Sequence, residues 1–83
     1  MTGIYVVKDV LAQEYGPPMT ARTELAAGRM YMQMLVQGKL SQAEYELYQI
    51  GTYDTDTGIA EVHAPVRITP IYKASADLEE VMP

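Results

Sequence analysis

The chain has 83 residues, which is one small domain; at this size roughly 60–65% of the unfolded surface is buried, enough to fold alone with little margin. Hydrophobic residues at 48% and charged residues at 20% fit a globular chain rather than a disordered one, and a net charge of −5 argues against a simple polycation that neutralises phosphates. No cysteine is present, so disulfides, thiolate zinc sites and cysteine nucleophiles are excluded, and the single His63 rules out a histidine-rich metal centre.

Ile4-Tyr5-Val6-Val7 is a β-branched and aromatic run that predicts a first strand, apolar on both alternations, as in a central strand or one at a dimer seam. Residues 9–19 contain Gly16-Pro17-Pro18 and read as a loop with one helical turn over residues 10–15. The next spacing predicts a helix from a Thr20 cap through about Gln37, with Gly38 as its C′ glycine. On that helix Leu25, Gly28, Tyr31, Met32, Met34, Leu35 and Val36 form one broad apolar arc, and Arg22, Arg29 and Gln33 line the opposite side. Met32 and Met34 are expected in the core, with Met30 at its polar border.

Ser41-Gln42-Ala43-Glu44 has capping-box spacing and predicts a short turn. A hairpin follows: a strand over 46–53, a turn at Asp54-Thr55-Asp56-Thr57-Gly58, and a return strand over 59–63. Pro65 and Pro70 bracket Val66-Arg67-Ile68, limiting that segment to an edge strand. The expected architecture is α+β, with one helix on a small, mostly antiparallel sheet of three or four strands in β-α-β-β order. The domain is placed at residues 1–76, with 77–83 as a peripheral acidic tail carrying Asp77, Glu79 and Glu80. A core without Phe or Trp is thin, and homodimerisation or a higher homo-oligomer would supplement it. No stretch reaches the roughly 18–20 apolar residues of a membrane span and no signal peptide is readable, which points to a cytoplasmic protein.

The chemistry-bearing residues are few. Asp54 and Asp56, with Glu61 nearby, are carboxylates of the type a hard cation takes, but the twelve-position loop of a calcium site is missing and aspartates are ordinary in turns. His63 lacks a visible nucleophile partner and reads as a surface or interface residue; Glu44 and Glu46 do not form a recognisable catalytic pair. No phosphate loop, cofactor motif or metal set is present, so the reading is not an enzyme, with no cofactor and no metal. The seven tyrosines are the more telling set, because single-stranded nucleic acid is held by stacking bases on strand aromatics beside cations. Tyr5, Tyr48 and Tyr53 fall on predicted strands, and Lys8, Arg22, Arg29 and Arg67 are the available cations. These seven residues are the candidate nucleic-acid contacts.

Several phrases together resemble one family. They are Ile4-Tyr5-Val6-Val7-Lys8-Asp9, Glu14-Tyr15-Gly16-Pro17-Pro18 with Thr20, Ala27-Gly28-Arg29, and above all the run Glu44-Tyr45-Glu46-Leu47-Tyr48-Gln49-Ile50-Gly51-Thr52-Tyr53-Asp54 followed by Thr57-Gly58 and Pro65. In this order they are similar to the small nonstructural protein of gokushovirus-type microviruses, phages with circular single-stranded DNA genomes, over roughly residues 4–70. The resemblance implies a non-enzymatic, DNA-binding role in viral genome synthesis and packaging within the bacterial host cytoplasm, with single-stranded DNA as partner. It transfers no binding-residue motif. A rival expectation is a protein–protein adaptor that docks on a replication or procapsid protein without touching DNA, which the acidic charge favours.

Overall fold

The computed structural model describes residues 1–69. Pro70 and the acidic tail 77–83 lie outside the described residues. The elements in chain order are β1 (Thr2–Asp9), β2 (Glu14–Tyr15), β3 (Met19–Ala21), α1 (Glu24–Gly38), a single 3₁₀ turn (Gln42–Glu44), β4 (Tyr45–Tyr53) and β5 (Ala60–Ile68). All pairings are antiparallel, in the order β2-β1-β4-β5, with β3 also pairing with β1. The expected α+β architecture is therefore observed, with α1 as its helix and β1 as the central strand.

Alternation along β1 explains the two layers. Gly3, Tyr5 and Val7 turn to one face, Thr2, Ile4, Val6 and Lys8 to the other. On the first face Tyr5 joins Leu47, Ile68, Ala21 and the helix residues Ala27, Tyr31 and Leu35 in the buried core. Val7, Met19, Met32, Met34 and Tyr45 pack against it, so Met32 and Met34, expected in the core, are partly buried at its margin, and Met30 at the polar border is exposed. Tyr31 ties the layers together, its hydroxyl donating to the Tyr45 carbonyl at 2.7 Å. Leu25 and Val36, placed on the buried arc by periodicity, are exposed: α1 touches the sheet along the narrower Ala27–Tyr31–Leu35 line.

Local chemistry moves several boundaries. The helix is capped by Thr23, whose Oγ1 accepts from Ala26 N–H at 3.0 Å, because Thr20 is taken up in β3 opposite Ile4. Arg22 thus precedes the helix instead of sharing a face with Arg29. At the other end Gly38 remains helical and Lys39 adopts the left-handed conformation, φ 55°. Leu40 N–H then reaches Leu35 O at 2.8 Å and Lys39 N–H reaches Val36 O at 3.1 Å, a Schellman closure. Residues 10–15, expected as a helical turn, divide instead into a turn over 10–13 and the strand β2, with Gln13 at φ 60° and Asp9 Oδ1 accepting from Ala12 N–H. The capping-box turn after Ser41 forms as expected, its Oγ accepting from Ala43 N–H.

The hairpin is longer than expected. β5 does not stop near His63 but runs through Pro65 to Ile68. Pro65 is tolerated because the β4–β5 register shifts between Gln49 and Gly51, leaving residues 63–65 opposite the single Ile50 in a bulged edge strand that needs no proline N–H. Gly51 makes this close approach possible: a Cβ there would collide with the Glu61 carbonyl and stand 3.0 Å from Val62 Cα. At the turn, Asp54 Oδ1 accepts from Asp56 N–H at 2.8 Å, and Gly58 takes the expected positive φ of 77°.

Candidate nucleic-acid interface

Among the described residues, the helix covers one face of the sheet and the opposite face is formed by strand side chains alone. Residues directly opposite one another share a face, so the register assembles this surface row by row. Tyr15, Lys8 and Glu46 form one row, and Val6, Tyr48 and Arg67 form the next. Val6 is buried, and the polar and aromatic residues surround it.

The contacts within the cluster are specific. The Tyr15 and Tyr48 rings meet edge to face, with centroids 5.6 Å apart and planes at 69°, an arrangement that contributes about 0.5–1.5 kcal/mol beyond area burial. Lys8 Nζ stands 5.3 Å from the Tyr15 ring centroid. Tyr48 donates its hydroxyl to Glu46 Oε1 at 2.6 Å, and the second Glu46 oxygen pairs with Arg67 Nη1 at 3.2 Å. The Arg67 side chain remains 60% exposed, so this ion pair is weak and the guanidinium is reachable from solvent. The hydrogen bond to Glu46, followed by burial and the carboxylate charge, raises the Tyr48 phenol above its ordinary value. Tyr48 therefore stays neutral across the physiological range, an uncharged ring between two cations.

The seven expected contact residues do not converge. Lys8, Tyr48 and Arg67 come together on the open face. Tyr53 is half-buried and shares that face, but in the row of Thr2 and Ala60, on the far side of the Ile4–Gly51–Val62 row from Tyr48. Tyr5 is 2% exposed beneath the helix, where a base cannot reach it; burial, with the Glu24 charge adding, raises its phenol pKa. Arg29 belongs to the helix layer, on the far side of the sheet, lining a shallow groove with Met32, Gln33, Val36 and Gln37. Arg22 is exposed in the bend between β3 and α1. Sequence reasoning missed two members of the cluster, Tyr15 and Glu46. The signal for Glu46 was its i, i+2 spacing from Tyr48 on a strand; Tyr15 was hidden because residues 9–19 read as a loop.

The other candidate sites resolve into structural roles. Asp54 uses its carboxylate to hold the hairpin turn, and the Asp56 N–H that it accepts from pulls its pKa below the ordinary aspartate value. His63 is exposed, with Nδ1 2.7 Å from the Ala64 carbonyl. Among the described residues no group of three or more histidine or acidic side chains could hold a metal ion, and no helix is long and apolar enough to cross a membrane.

These features define a small α+β protein in which one sheet face carries the helix and the other presents paired tyrosines between two cations. The chain matches the family model described as Phage ORF5 protein over residues 2–76. It belongs to that family and is a bacteriophage protein. Comparison with curated proteins and with solved structures finds no match.

Proposed function

We propose that this phage protein is a non-enzymatic binder of single-stranded DNA that serves viral genome synthesis and packaging in the host cytoplasm. Bases stack on Tyr15 and Tyr48, and Lys8 and Arg67 hold the flanking phosphates. The observation that supports this reading is the Tyr15–Tyr48 pair set between Lys8 and Arg67 on a sheet face opposite the helix. Ring faces are sequence-tolerant partners for bases, and cations at both ends of the row supply the electrostatic part. The resemblance to the gokushovirus-type nonstructural proteins supports the same role. Compared with the set expected from sequence, the proposed contacts lose Tyr5, Tyr53, Arg22 and Arg29 and gain Tyr15.

Fluorescence anisotropy with a labelled oligothymidylate at low salt tests it. Tyr48→Ala and Tyr15→Ala should each weaken binding by about 1–3 kcal/mol. Lys8→Ala and Arg67→Ala should each flatten the plot of log K against log salt by about 0.7. Arg29→Ala, on the helix side, should leave both readings unchanged. Absence of binding at low salt, or equal losses from Arg29→Ala and Lys8→Ala, refutes the proposal.

A further inference from the structure

A second surface lies where the ends of β1 and β4 meet the C-terminal end of α1 and the loop 16–18. There a pocket of about 420 Å³ opens between Val7, Met19, Met34, Leu40 and Tyr45. Its walls are apolar, and two are methionines, whose unbranched side chains adapt to differently shaped guests. Two carboxylates also line it: Asp9 and Glu14, directly paired between β1 and β2, with Tyr45 opposite Asp9 on the other side. The charged groups next to the lining in the chain are Lys8 and Glu46, which stand opposite each other in the strand register on the other sheet face, Lys39 before Leu40, and Glu44 before Tyr45.

We infer that this pocket docks a segment of a partner protein that carries a bulky apolar side chain flanked by lysine or arginine. The apolar walls take the side chain, and Asp9 and Glu14 select basic flanks over acidic ones. Burying one large side chain in such a pocket is the usual anchor of a peptide interface, and complementary charge around it sets partner choice more than raw affinity. An acidic body of net charge −5 reinforces the same selection.

The chain has seven tyrosines but no tryptophan, so with excitation at the red edge of the tryptophan band, where tyrosine does not absorb, the emission of a tryptophan-containing peptide reports its own environment. Acetylated and amidated Gly-Lys-Trp-Lys-Gly, titrated with the full-length protein, should show a saturable blue shift, and Gly-Glu-Trp-Glu-Gly should not. Exposed Glu14→Lys should weaken the lysine peptide about fivefold. Leu40→Ala, which thins a partly exposed wall, should weaken it by a similar factor. No saturable shift with the lysine peptide, equal binding of both peptides, or indifference to either substitution overturns the inference. So does sedimentation showing that the peptide splits a dimer, since the pocket would then belong to a second copy. Tyr15 also lines this pocket, but no nucleic acid enters the titration, so its outcome is independent of the oligonucleotide measurement.

Discussion

Glu46 stands between two of the proposed DNA contacts, accepting from the Tyr48 hydroxyl and pairing with Arg67. It orients both, and it also places a negative charge where a phosphate would approach. These effects separate in Glu46→Gln, which keeps an acceptor for Tyr48 and removes the charge. Oligonucleotide affinity should rise about threefold to tenfold, because Arg67 no longer has to leave a carboxylate. Thermal stability should fall by less than about 1.5 kcal/mol, since a hydrogen bond to a charged acceptor becomes one to a neutral acceptor. Loss of affinity in this variant would make Glu46 a positioning residue whose orientation outweighs its repulsion. The fate of the individual tyrosines shows what a sequence can and cannot supply. That Tyr5 and Tyr48 lie on strands was readable from β-propensity and alternation. Which of them faces the helix was not, because β1 is apolar on both alternations and only the packed position of α1 separates Tyr5 from Val6.

Among the elements, α1 was legible as a helix, but both of its caps were misplaced for local reasons. Thr20 and Thr23 are equally good caps by composition, and pairing of β3 with β1 decides for Thr23. At the C-terminus Gly38 looked like the natural left-handed residue, but the Schellman bonds from Leu40 and Lys39 place that conformation one position later. An L-residue in the left-handed region costs about 1–2 kcal/mol, and glycine avoids it while losing some entropy on folding. Lys39→Gly should therefore stabilise the protein by about 0.5–1 kcal/mol, raising both the thermal and the urea midpoints without changing the denaturant slope. A lowered midpoint would mean that the lysine side chain contributes more than its backbone conformation costs. The β4–β5 hairpin was the most legible element because its turn chemistry is local. Its length was not, since Pro65 ends a regular strand but not a bulged edge. That bulge also interrupts the outer row of β5, and with Pro65 it works against strand addition along this edge.

At the scale of the whole molecule, sign of charge and location of charge give different answers. The total is −5, yet the open face carries Lys8 and Arg67 against Glu46 alone among the described residues. Composition registers the first quantity and only the register of the strands reveals the second. A face with two cations can displace counterions from about two phosphates, so the slope of log K against log salt for a single strand should be near −1.4 for one protomer. The acidic remainder of the chain repels the strand at long range, and salt screens that repulsion along with the attraction, so the measured slope should be no steeper than this value. If two protomers align their open faces on one strand, four cations contribute and the slope should double to about −2.8, with binding steepening as protein concentration rises. An oligothymidylate titration across a salt series, run at two protein concentrations beside a sedimentation measurement, distinguishes these outcomes. A slope near zero at every concentration would remove the electrostatic part of the interface and leave stacking on Tyr15 and Tyr48 without phosphate contacts to orient it.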